Sequence, residues 1–205
     1  EHLTEQQLFY FPLGHSTMLK NVSRVNAASI YRFDQNGLLS QERYWDFRKL
    51  YQLEKIQKNA MEIFSEKFFK ITNALASDLE KVNVALTAGF DSRSIYACLA
   101  NSGKDIQTYA FGLKGSKNVT IPLNIAKELN IRFKPIWLND EFVDQYYKWF
   151  ELCTMASDGY LGERTNYPYS FSQLSDFSPI SINGNWGSEA IRPIQNFGYI
   201  ISKEF

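Results

Sequence analysis

Between Val82 and Ala100 the hydrophobic period of the chain changes within a few residues, and that change constrains the fold more than any other stretch. A short β-branched, apolar run breaks at Thr87-Ala88-Gly89. Apolar residues then resume at helical spacing, with Ile95 and Leu99 as anchors and the small Ala97 and Ala100 between them. The pattern predicts strand, tight loop and helix. In such a unit the unpaired amides at the helix start carry partial positive charge and face whatever sits above the carboxyl edge of the sheet. An anion fits there. Thr87 and Ser92 add hydroxyl donors, Gly89 lets the backbone approach closely, and Asp91 offers a hard oxygen to a magnesium ion on a bound polyphosphate. The loop reads as a pyrophosphate cradle, although an ordinary strand-to-helix turn with a polar cap uses the same residues.

The segment Thr87-Ala88-Gly89-Phe90-Asp91-Ser92 resembles the Ser-Gly-Gly-x-Asp-Ser loop of the ATP pyrophosphatases, which cleave ATP between its α and β phosphates. With Arg93 following and Tyr44-Trp45-Asp46-Phe47 upstream, it is most similar to the synthetase domain of the asparagine synthetases. Ala88 departs from the pattern, standing where that family favours glycine. The resemblance implies a doubly wound parallel α/β sheet of the adenine nucleotide alpha hydrolase type, preceded by a small β-hairpin. It implies ATP and Mg2+ as cofactors, with Thr87, Ala88, Gly89, Phe90, Asp91 and Ser92 around the pyrophosphate and Asp91 on the metal. Arg93 would neutralise developing charge. Phe111 and Gly112, at the end of the next strand, stand where the family holds adenine, and a core phenylalanine at a strand end fits equally well. Asp158 matches an acid at the mouth of the substrate cleft, while Asp158-Gly159 also reads as a turn.

A second glycine-containing segment, Asn183-Gly184-Asn185-Trp186-Gly187-Ser188-Glu189, follows the run Pro179–Ile182. The family writes this loop Ser-Gly-[Glu/Asp]-Gly-x-Asp-Glu. Gly184, Gly187 and Glu189 are present, which makes Gly184 a nucleotide contact and Glu189 a second metal candidate. Asn185 stands in place of the catalytic acid and Ser188 in place of the metal-binding aspartate. A neutral amide is no general acid or base near pH 7, and a serine hydroxyl brings no charge to magnesium. Asn118 likewise replaces a common aspartate.

Two functions follow as expectations. One is ATP-dependent amide formation: a small-molecule or peptide carboxylate is adenylated with release of pyrophosphate, and ammonia or an amine donor, supplied in the family by a glutaminase domain, displaces AMP. The other is a nucleotide-binding homologue without catalysis, favoured by Asn185 and Ser188. A sulfurtransferase or reductase with an active-site thiol would need a cysteine near the crevice, and Cys98 falls on the helix body. The similarity also implies a glutaminase domain before this region and more helical chain after it. Such a glutaminase uses its first residue as nucleophile, a role Glu1 cannot fill.

Composition narrows the partners. Lys+Arg and Asp+Glu are both 22, so no basic field exists to hold nucleic acid. Cys98 and Cys153 lie in apolar helix-like segments without CxxC spacing and read as buried free thiols in the cytoplasm. With two histidines, His2 and His15, a zinc site is not expected. No apolar run reaches the ~18 residues of a membrane span.

The organisation expected is a hairpin lead-in over 1–45 and the α/β domain over 46–205. Ala28–Phe33 alternates as a strand, Asp34-Gln35-Asn36-Gly37 turns, and a second strand runs from Leu39 to Tyr44. Leu50, Leu53, Ile56, Ala60, Ile63, Phe64, Phe68, Ile71 and Leu75 predict one amphipathic helix over 46–77. Further strands are expected at 106–112 and 132–138, the latter at an edge or with an irregularity because of Pro135. A helix with Pro122 in its first turn, capped by Asn118 or Thr120, lies between them. Asp140 is expected to cap a helix running to Met155, and a short helix should cover 167–174.

Overall fold

The computed structural model describes residues 2–9, 12–17, 19–46, 48–49, 58–157 and 164–185, divided into two units, Glu1–Ala60 and Met61–Phe205. In the first unit, helix α1 (His2–Phe9) precedes an antiparallel hairpin of β1 (Ser29–Asp34) and β2 (Gly37–Arg43). The Asp34 carboxylate accepts the Asn36 amide at 2.7 Å, and Gly37 takes φ +124°, a turn only glycine adopts readily. Just after the hairpin, Asp46 accepts the amide and guanidinium of Arg48, which holds its carboxyl well below the usual carboxylate range.

The continuous helix expected over 46–77 is not formed. Asp46 does accept the Arg48 amide, the bond of a helix N-cap, but the helical run is broken before Ala60. Lys58 and Asn59 then form a turn, and helix α2 runs from Ala60 to Leu75, directly after an asparagine of the N-cap type. Leu50, Leu53 and Ile56 lie outside the described residues. The buried stripe is shifted as well: Phe68, Thr72 and Ala76 face the core, while Ile71 and Leu75 are exposed.

The second unit is built on a parallel four-stranded sheet in the order β5-β4-β3-β6: β3 (Lys81–Ala85), β4 (Asp105–Gly112), β5 (Phe133–Trp137) and β6 (Ser181–Ile182). Helix α3 (Phe90–Leu99) connects β3 to β4, and α4 (Lys117–Glu128) connects β4 to β5. Val82 and Val84 turn to one face, where Ile95, Leu99 and Ala76 complete an aliphatic core. Ala85, Tyr109 and Ile136 turn to the other. There Trp149 of α6 (Tyr146–Ala156) and Tyr169 and Leu174 of α7 (Asn166–Leu174) close an aromatic core. Alternation along each strand thus feeds two cores, as a sheet covered on both faces requires. Among the described residues Pro135 sits on an edge strand of this sheet, in keeping with its missing donor.

Two polar residues, Asn83 in β3 and Thr108 in β4, are buried in these strands all the same. Asn83, fully buried in β3, donates to the carbonyls of Ser178 at 2.8 Å and Leu174 at 3.2 Å and accepts from Gln107 at 3.1 Å. It fastens the turn that delivers β6 to the sheet.

Two helix starts differ from expectation. Ser116, not Asn118 or Thr120, is the N-cap of α4, because its carbonyl receives the Val119 and Thr120 amides; Pro122 therefore falls beyond the first turn. The helix expected from Asp140 to Met155 is two: α5 (Asp140–Asp144), capped by the Asn139 side chain on Phe142 N, and α6, with Gln145 at φ −98°, ψ 11° between them. Cys153 is buried as expected, but Cys98 is only partly so. Among the described residues no helix is long and apolar enough to cross a membrane.

Candidate functional site

Three strands end side by side at the carboxyl edge of the sheet, and the loops after β3 and β6 meet there. The first loop is held by its own hydroxyls. Ser92, 6% exposed, accepts the Thr87 amide at 2.9 Å and shares a 2.8 Å hydrogen bond with the Thr87 hydroxyl, which in turn accepts the Gly89 amide at 3.2 Å. Gly89 is the N-cap of α3 in extended conformation, with no side-chain cap. A Cβ there would lie 3.5 Å from the Thr87 hydroxyl, an ordinary contact, so this glycine is not required by backbone strain.

Arg93 turns back on the same loop. Its guanidinium donates to Ala88 O at 2.9 Å and Gly89 O at 3.1 Å and lies 4.5 Å over the Phe90 ring, which is itself exposed. Arg93 therefore braces the loop's carbonyls.

The second loop is pressed onto the first at Gly184. A Cβ on Gly184 would come within 2.7 Å of Asp91 C and 2.8 Å of Ser92 N, both backbone atoms that cannot yield cheaply. Glycine is the one residue that permits this approach. The adjoining Asn185 amide donates to the Asn183 side chain at 3.0 Å.

A cavity of about 230 Å³ opens between these loops, lined by Thr87, Gly89, Asp91 and Ser92 on one side and Asn183, Gly184 and Asn185 on the other. Its floor and back wall are Ala85, Tyr109, Phe111 and Tyr167. Phe111 meets Tyr167 edge-to-face with ring centroids 5.7 Å apart. The Tyr109 hydroxyl shares a 2.8 Å hydrogen bond with Ser181, and burial pushes its pKa above the ordinary tyrosine value.

Of the residues expected from the sequence, Thr87, Gly89, Asp91, Ser92, Phe111 and Gly184 converge on this cavity. Ala88 and Phe90 belong to the loop, but their described contacts are with Arg93 and, for Phe90, Ser94. Gly112 backs onto α4, where a Cβ would meet the Ser116 hydroxyl at 2.7 Å, so its missing side chain makes room for that helix. Asn118 is exposed on α4. Asp158, Ser188 and Glu189 lie outside the described residues. Tyr109, Tyr167 and Asn183 join the site without having been singled out. Tyr109 shares the β4 face of Phe111 by period-two alternation, and Asn183 follows β6 directly, the same topological place that drew attention to Thr87.

The donor set suits a magnesium polyphosphate. One carboxylate, the Thr87 hydroxyl when Ser92 donates to it, and the amides of a ten-residue helix start supply hard oxygen for the ion and O–H and N–H donors for the anion. Among the described residues no group of three His, Cys, Asp or Glu side chains is arranged to hold a metal alone. Any ion at Asp91 would thus take further ligands from phosphate and water, which is how magnesium is ordinarily bound.

A scan of protein-family models finds no match to this chain, and a search of curated proteins finds none with significant similarity.

Proposed function

We propose that the second unit is an ATP-dependent amide-forming domain of the adenine nucleotide alpha hydrolase type, similar to the synthetase domain of asparagine synthetases. The observation that carries this reading is the contact of Gly184 with the backbone of Asp91 and Ser92, which joins two glycine loops around one set of anion donors. In this reading Thr87, Ser92 and the α3 amides bind the pyrophosphate portion of ATP, and Asp91 holds Mg2+, with Glu189 as a second metal ligand. Phe111, with Tyr167 against it, flanks the base. Arg93 keeps the loop carbonyls turned away from the phosphates. Bound Mg2+ supplies charge neutralisation at the leaving pyrophosphate. A substrate carboxylate oxygen bonds to the α-phosphorus as its bond to the bridging oxygen breaks, and ammonia or an amine then displaces AMP from the acyl group. Asp158, outside the described residues, stays the acid that the resemblance assigns to the substrate cleft.

A second reading has its own observation. Asn185 lines the cavity where the related enzymes carry an acid, and its amide side chain moves no proton near pH 7. A domain so built binds the nucleotide and makes no AMP.

Calorimetric titration of the chain with ATP, with and without magnesium, tests the shared premise. Micromolar binding, about −8 kcal/mol, that needs magnesium and disappears in Asp91→Ala is expected. A folded protein that binds no ATP removes both readings. AMP formation with a carboxylate and ammonia then separates them.

A further inference from the structure

A second, larger cleft of about 620 Å³ adjoins the loop cavity and shares Asp91, Asn183, Gly184 and Asn185 with it. It runs between α2 and α3. Phe64 and Phe68 stack there with ring centroids 5.9 Å apart, and Phe69 extends the aromatic wall; Phe64 and Phe69 are 43% and 55% exposed. Opposite them α3 presents the small residues Ser94, Ala97 and Cys98, so the groove stays open as a slot. The slot is polar at one end and apolar along its length. Among the described residues that line it, Asp91 is the only charged one, and it stands at the end shared with the loops.

Resting on the adenylation reading, we propose that this cleft seats the acyl substrate, and that the substrate is a monocarboxylate with an uncharged aromatic or aliphatic body. Its carboxylate lies at the Asp91–Asn185 end, next to the phosphate donors, where a magnesium ion on Asp91 would offset the like charge, and its body lies against Phe64, Phe68 and Phe69. The charge pattern decides against a small diacid. A second carboxylate along the slot would meet aromatic rings and no cationic side chain among the described residues that line it, and burying an uncompensated charge is strongly unfavourable. An apolar body instead gains from leaving water.

Cys98 in the slot wall provides a direct readout. The probe is 3-phenylpropionate, with L-aspartate as its polar competitor, both in magnesium chloride, and the measurement is the iodoacetamide alkylation rate of Cys98 resolved by peptide mass, at pH 9 because burial pushes this thiol up. Saturating 3-phenylpropionate is expected to slow alkylation at least fivefold, and equal L-aspartate to leave it unchanged. Ala97→Trp, on an exposed position of α3, fills the slot and should weaken that protection at least tenfold while melting within a few degrees of the parent chain. The proposal is overturned by protection from L-aspartate equal to that from 3-phenylpropionate, by no protection from either, or by undiminished protection in the folded Ala97→Trp variant. Titration of the parent chain with MgATP separates the two failures. ATP binding without protection discards the monocarboxylate and keeps adenylation. Protection without ATP binding discards adenylation, and with it the role of this ligand as an acyl substrate.

Discussion

The loop after β3 and the loop after β6 both follow parallel strands and both carry a glycine, but their glycines are constrained differently. Gly89 has an ordinary extended backbone and room for a methyl group, and the shape of its loop is set by Thr87, Ser92 and Arg93. Gly184 has no such room, because its neighbour is the backbone of the other loop. The first loop is shaped from within and the second by what it leans on. A glycine that packing does not require is open to a ligand explanation. A glycine that packing does require says only that the loops must touch.

Four substitutions and one titration probe this contrast. The largest effect is expected from Asn83→Ala, which leaves the Leu174 and Ser178 carbonyls and the Gln107 amide without their buried partner and frees the approach to the second loop. A loss of about 3 kcal/mol in urea denaturation is expected. Gly184→Ala should cost about 2 kcal/mol by overpacking, and it should weaken MgATP binding tenfold or more because the displaced atoms are those of Asp91 and Ser92. If affinity and stability both survive, the two loops do not depend on each other. Ser92→Ala removes the acceptor of the Thr87 amide, and a drop of about 1–2 kcal/mol is expected, confined to hydrogen exchange in the first loop. Gly89→Ala should cost less than about 1 kcal/mol, since alanine is only a poorer N-cap than glycine. MgATP affinity should nevertheless fall at least tenfold, and an unchanged affinity would remove the cradle. The smallest effect concerns Tyr109. Its pKa is raised in the folded state by burial, so the proton is held more tightly there than in the unfolded chain. That contribution is complete below the unfolded value near 10 and is lost as pH climbs through the folded value. The fall in urea midpoint from pH 9 to pH 11 should be shallower in Tyr109→Phe. Tyr96 and Tyr169 shift in the same direction and retain the remainder of the slope.

The strands and turns were legible where local chemistry and tertiary packing ask for the same residue. Val82 and Val84 suit a covered strand, Pro135 suits an edge, and Asp34 with Gly37 suits a tight turn. The α2 segment misled because it carries Phe64, Phe68, Phe69 and Ile71 around most of its circumference. Periodicity then cannot say which stripe is buried, and the choice falls to Phe68, Thr72 and Ala76 through contacts with distant residues. The break at Gln145 has no proline or glycine to announce it. At the site, residues in the two glycine segments could be found by motif. Tyr109 and Tyr167 could not, because they reach the cavity through the sheet and through α7, elements far apart in sequence. Asn83 reads as an ordinary polar interruption until its partners, up to 97 residues away, are in view.

The strand order also bears on how the protein is made. β3, β4 and β5 are joined by neighbouring crossovers and can assemble as each leaves the ribosome, whereas β6 pairs with β3 across a long stretch of chain; Asn83 and Ser178 are 95 residues apart. At translation rates of about 5–20 residues per second, roughly 5–20 s separate the emergence of the two. During that interval one flank of β3 offers unpaired amides and carbonyls, the surface through which nascent sheets pair with the wrong neighbour. Slowing synthesis anywhere between Leu86 and Ser178 would lengthen that exposure, so codon choice in this span should influence the soluble yield without altering a single residue.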